Sequence, residues 1–88
     1  AMPKSIHRAE YMLLLALVRE VRISAEVTQE ELSRKLGRPQ SFVSDVERGA
    51  RRLDVLELRD ICEHLGQPFV NFVAEYERRL EPSHSVTR

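Results

Sequence analysis

Between Thr28 and Gly49 the chain reads TQEELSRKLGRPQSFVSDVERG, and the order of these residues specifies two short helices and the turn between them. Thr28 suits an N-cap: its hydroxyl can accept the Glu31 amide while the Glu31 carboxylate reaches back to the Thr28 amide, a reciprocal capping box. Val27 and Leu32 flank that cap, where two apolar side chains close over it as a staple. Gly37 supplies the left-handed stop after Leu36. The following helix is expected from about Pro39 to Arg48, because proline fits a first turn whose amide hydrogen is not needed. Gly49 ends it. Leu32, Leu36, Val43 and Val46 point inward and lock the pair, and Ser33 is small enough for the second helix to cross close by. Gln29–Leu36 and Pro39–Arg48 thus have the spacing of a helix-turn-helix.

Helical punctuation continues on both sides. A first helix is expected to start after Ser5 as N-cap and to run to about Ser24, with Leu14, Val18 and Val21 on one face. Met12, Leu13 and Leu15 exceed what one stripe requires. Asp54 and Glu57 form a second capping box, stapled by Leu53 and Leu58, and Ile61, Cys62 and Leu65 continue that helix to Gly66. A fifth helix follows Pro68, with Phe69, Phe72, Val73, Tyr76 and Leu80 at helical spacing. Pro82 is expected to stop it, leaving SHSVTR as a frayed tail. The expected fold class is all-α, a bundle of five short helices. Residues 1–4 read as a disordered N-terminus whose Ala1 is a cloning scar, 5–81 as the helix-turn-helix domain, and 82–88 as a flexible tail.

The bulk numbers narrow the function. Eighty-eight residues make one small domain with a thin core. Fourteen basic and fourteen acidic residues cancel, so no global field draws in a polyanion. Locally, Gly37–Arg52 carries Arg38, Arg48, Arg51 and Arg52 against Asp45 and Glu47, a positive surplus. Cys62 alone forms no internal disulfide or zinc site and reads as a small buried hydrophobe. His7, His64 and His84 lack ligand spacing, and neither metal nor cofactor is implied. YMLLLALV (Tyr11–Val18) is far shorter than the ~20 residues of a membrane span, so the expected location is the cytoplasm, without a membrane partner. Neither paired carboxylates beside a nucleophile nor a phosphate-cradling glycine loop is present, so the chain is not expected to be an enzyme. Scarce aromatics for base stacking disfavour RNA, and no small-molecule pocket is evident.

TQEELSRKLGRPQSFVSDVERGARRLDVLELRDICEHLG resembles the Xre/Cro (lambda-repressor-like) helix-turn-helix regulators of bacteria and phages, over Arg22 to about Val73. The Thr-Gln-Glu-Glu-Leu opening, the Leu-Gly turn, the Ser-Phe-Val-Ser helix and the Glu-Arg-Gly ending fall in register. The resemblance implies a compact lambda-repressor-like bundle, a nucleoid-associated protein of bacterial or phage origin, and a homodimer on a palindromic operator with its third helix in the major groove of double-stranded DNA. It implies roles as well. Gln29 corresponds to a phosphate contact that also braces the start of the recognition helix. Gln40 and Ser41 fall nearest the base edges, where glutamine can pair bidentately with adenine. Ser44 and Asp45 lie one turn on. Arg48, Arg51 and Arg52 fall where helix end and loop meet the DNA backbone, fixing register, and Arg38 adds to the same positive surface. Glu47 falls on a position that is acidic in many members and tends to hold the loop.

Three residues depart from the pattern. Pro39 replaces a frequent serine or threonine cap, Asp45 a frequent arginine or lysine, and Glu26 a frequent glycine. Asp45 admits three roles: accepting from cytosine N4, pairing with Arg48 or Arg38 to orient a guanidinium, or repelling phosphate on a surface that no longer binds DNA. The last belongs to a rival function, the same fold used as an antitoxin-like or anti-activator protein-binding module. For dimerisation, apolar excess nominates Phe69, Phe72 and Tyr76 first, and Met12 with Leu15 second.

Overall fold

The computed structural model describes residues 2–85, with side chains from Ala9 to Leu80. Its helices are α1 (Met2–Ser24), α2 (Gln29–Lys35), α3 (Phe42–Glu47), α4 (Val55–His64) and α5 (Phe69–Ser85). No strand occurs among the described residues, so the fold is all-α. Two ends differ from the sequence expectation. α1 is already helical at Met2, so Ser5 is not its cap. α5 runs through Pro82 to Ser85; one proline close to a helix end removes a single backbone donor and leaves its φ helical. Ala1 and residues 86–88 of the expected tail lie outside the described residues.

Both capping boxes form. The Glu31 amide donates to Thr28 Oγ1 at 3.0 Å and the Thr28 amide to Glu31 Oε1 at 2.8 Å. At α4 the Glu57 amide donates to Asp54 Oδ1 at 2.8 Å and the Asp54 amide to Glu57 Oε1 at 3.1 Å. The staple residues Val27, Leu32, Leu53 and Leu58 all join the core cluster.

Helix ends explain the odd residue Glu26. α1 closes with the Glu26 amide on Ile23 O at 2.9 Å and the Val27 amide on Arg22 O at 3.3 Å, the paired bonds of a left-handed helix stop. Glu26 holds φ +60° there, a conformation that crowds any Cβ and that glycine adopts freely. Gly37 makes the same closure for α2, through Gly37 N–H to Arg34 O and Arg38 N–H to Ser33 O, both 2.9 Å.

The core draws on every helix: Val18 of α1, Leu32 of α2, Val43 and Val46 of α3, Ile61 and Cys62 of α4. Burial pushes the Cys62 thiol up to about 11, in keeping with an inert apolar role. Leu15 and Phe72 are only 2% and 1% exposed, which corrects their nomination for a dimer face. Leu15 shares the core stripe with Val18, three residues on, and Phe72 lies a turn from both Phe69 and Tyr76 on the buried side of α5. Met12 is 46% exposed, while Phe69 and Tyr76 are half-buried. Tyr76 Oη donates to Glu10 O at 2.8 Å, and Arg79 bridges Glu20 of α1 and Glu75 of its own helix. These polar contacts tie α5 to α1 and set the frame on which α2 and α3 stand.

Candidate nucleic-acid interface

α2 and α3 owe their mutual placement to polar groups hidden beneath the surface. Pro39 does not start α3. Residues 39–41 form a turn, closed by the Phe42 amide on Pro39 O at 2.9 Å, and the helix begins at Phe42. Ser41 occupies the cap position without a side-chain cap bond. The acceptor comes from another helix: Ser33 Oγ, wholly buried in α2, takes the Val43 amide at 3.0 Å. Ser33 is therefore more than a small residue at a crossing; it satisfies a donor that α3 cannot satisfy alone.

The far end of α3 is held by a buried ion pair. Arg22 Nε and Nη2 donate to Glu47 Oε2 and Oε1 at 2.6 and 3.1 Å, and their side chains are 10% and 4% exposed. Arg22 Nη1 also donates to Val27 O at 2.9 Å, so one guanidinium joins the end of α1, the entry to α2 and the end of α3. Gln29 Nε2 donates to Glu47 Oε1 at 2.8 Å. Gln29 thus braces the end of α3 rather than its start, which corrects the role inferred from resemblance. The sequence left Arg22 unassigned because its partner lies 25 positions away.

On the outer face, Gln29, Glu30, Gln40, Ser41 and Ser44 line a shallow groove. Gln40 and Ser41 sit in the turn ahead of α3, both exposed. Gln40 Nε2 donates to Glu30 Oε2 at 2.7 Å, and Ser44 Oγ to Ser41 O at 3.0 Å. Asp45 accepts from Arg48 Nη2 at 2.6 Å. Of its conceivable partners, the structure joins it to the arginine one turn along.

The four arginines divide into two kinds. Arg38 and Arg51 both lie over the Phe42 ring, 4.6 and 4.8 Å from its centre, and both reach Glu57, at 2.8 Å for the closest contact of each. The Arg51 bonds, then the Asp54 amide, pull the Glu57 carboxyl down to about 2. Glu57 therefore does more than complete a cap; it ties two cations of the positive surface to α4. Arg52 lies 4.7 Å over the Tyr11 ring, and Arg48 is 69% exposed in its side chain. Arg48, in its pair with Asp45, and Arg52, over Tyr11, are thus the two that Glu57 does not hold. The face as a whole offers outward amide and hydroxyl groups flanked by guanidinium groups, the chemistry that meets base edges and phosphates.

Residues 18–72 match the model of the family described as Helix-turn-helix. Among solved structures, the chain is similar to an XRE-family like protein from Pseudomonas syringae pv. tomato str. DC3000, at 45% identity and a TM-score of 0.83. That match covers 89% of this chain and 95% of the other. No curated protein matches the sequence.

Proposed function

Because this chain belongs to the XRE-type helix-turn-helix family, we propose that it is a sequence-specific DNA-binding regulator of transcription. It acts as a homodimer, with α3 and the turn before it entering the major groove. One observation carries the reading: Gln40, Ser41, Ser44 and Arg48 lie together on the outer face of a helix pair that buried bonds hold rigid from beneath. Asp45 supports it too, since its carboxylate is paired with Arg48 instead of standing bare before phosphate. In this reading Asp45 orients Arg48, an exposed pair worth only tenths of a kcal/mol.

Two copies on a two-fold operator place their recognition helices about 34 Å apart, one turn of duplex. Among the described residues, exposed large apolar side chains available for pairing are Met12 and Ile23 of α1, Val55 and Leu56 of α4, and Val70 and Val73 of α5. Val70→Glu tests this surface without disturbing the core, because Val70 is 73% exposed; the sedimentation mass should fall toward that of a monomer.

The functional test is selection from a randomised duplex pool at two salt concentrations, with Asp45→Ala alongside. A palindrome should be enriched, and its preference should stay unshifted in the variant. With Arg48 and Arg52 of each protomer neutralising phosphate, a dimer makes about four such contacts, and log K should fall with log salt at a slope of about −3.6. Absence of enrichment at both salts would favour the protein-binding use of the fold.

A further inference from the structure

We propose that Glu30 is a specificity-determining residue of this interface, holding the Gln40 side chain in the orientation that reads adenine and refuses guanine. The inference rests on the DNA-binding reading above and deepens it. Glu30 stands in the first turn of α2, where a carboxylate is favoured by the helix dipole. That alone would make it a stabilising surface residue. Its geometry asks more of it: Oε2 accepts the Gln40 amide at 2.7 Å, and both residues border the groove shared with Gln29, Ser41 and Ser44.

An ionised carboxylate has acceptors only, so it can bind the Nε2 end of Gln40 and never the Oε1 end. The amide flip that a free glutamine undergoes is thereby closed off. One of the two Nε2 hydrogens is also used. What Gln40 still presents outward is a single N–H beside a carbonyl oxygen, one donor and one acceptor. Adenine offers the complement in the major groove, an N7 acceptor beside an N6 donor. Guanine offers two acceptors, N7 and O6, and a glutamine satisfies both only by turning both Nε2 hydrogens to the base. Glu30 withholds one of them. The carboxylate carries a second consequence, since a negative charge beside the groove repels phosphate and lowers affinity for every duplex alike.

The experiment uses the full chain and the duplex it selects. The base pair read by Gln40 is first located as the one whose preference disappears in Gln40→Ala. Affinities are then measured for adenine and guanine at that pair, with wild type, Glu30→Ala and Glu30→Gln, after confirming equal thermal stability. Wild type should prefer adenine by about tenfold or more, the scale of a bidentate contact. Glu30→Ala should shrink that preference to about threefold or less and tighten binding to unrelated duplex, because the charge is gone. Glu30→Gln removes the charge and offers Gln40 a donor as well as an acceptor, so the flip reopens: it should tighten unrelated binding and shrink the adenine preference as well. Full preference in Glu30→Ala would overturn the proposal, as would a wild-type preference kept in Glu30→Gln, since an amide neighbour no longer forbids the flipped Gln40 and charge acts on every duplex alike. If Gln40→Ala shifts no base pair, Gln40 reads none and the proposal falls while DNA binding stands; if wild type selects no sequence at all, the DNA-binding reading itself has failed.

Discussion

Glu47→Ala should be among the most damaging single substitutions in this domain, although its carboxylate touches no expected base or phosphate. The side chain accepts three bonds, two from Arg22 and one from Gln29. Removing it leaves the Arg22 guanidinium, whose side chain is only 10% exposed, with the Val27 carbonyl as its remaining partner. Stranding one member of a buried ion pair costs about 3–5 kcal/mol. A chain of this length has a total stability on the order of 4–13 kcal/mol, so a substantial share is lost. The melting temperature should fall by about 12–40 °C, at about 4–8 °C per kcal/mol for a small domain. Replacing both partners separates cause from size: Arg22→Met with Glu47→Leu leaves no orphaned charge and should recover most of the loss, because apolar isosteres often match a buried pair. Urea denaturation followed by far-UV circular dichroism measures wild type, Glu47→Ala, the double variant and its two component singles, Arg22→Met and Glu47→Leu. A Glu47→Ala loss below about 1 kcal/mol would refute the reasoning, and so would a double variant whose loss equals the sum of the singles, since coupled groups must deviate from additivity.

Three further outcomes are expected. Glu26→Gly should raise stability by about 0.5 kcal/mol, the relief of a left-handed Cβ partly offset by the greater freedom of unfolded glycine; a loss in thermal denaturation would contradict the strain inferred at φ +60°. The Glu57 carboxyl, held at about 2 from an ordinary 4.5 chiefly by Arg51, contributes stability that is present above its unfolded value and lost as pH falls toward the folded one. Acid titration of Glu57→Gln should therefore show a shallower decline below about pH 4.5 than wild type, and an unchanged slope would count against the Arg38–Glu57–Arg51 arrangement. Ser33→Ala should destabilise by about 1–2 kcal/mol, because the Val43 amide loses its buried acceptor. Hydrogen exchange reads this directly, and an amide at Val43 that stays as protected relative to global unfolding as in wild type would mean that Ser33 does not cap α3.

What could be read in the sequence was local. Thr28 with Glu31 and Asp54 with Glu57 announce helix starts because both partners of each box lie three residues apart, within reach of one turn. Gly37 and Gly49 mark stops through backbone conformation alone, and Glu26, the residue out of pattern, proved to hold the same conformation at a cost. What escaped was non-local. Proline suits a first turn, which points to Pro39 as the start of α3, yet the acceptor that fixes its true start belongs to Ser33 on another helix. Arg22 carries no sequence signal of its own, and Glu57 reads only as half of a capping box; their further partners become neighbours only when α1, α3 and α4 pack. The candidate face divides similarly. The grouping of Gln40, Ser41 and Ser44 on one outer surface follows from register within the motif, whereas the capture of Arg38 and Arg51 by Glu57 and the hold of Glu30 on Gln40 depend on side-chain directions that spacing does not encode. Leu15 and Phe72 were nominated for a surface by counting apolar residues, and a thin core claimed both.

Adding duplex to isotopically labelled protein and following each backbone amide by NMR tests the central claim most directly. The expected result is a contiguous set of perturbed amides at Gln29, Gln40 through Asp45, Arg48 and Arg52, fading as salt is raised. Perturbations confined to α4 and α5, or none with DNA in excess, would contradict the assignment of this face to the major groove.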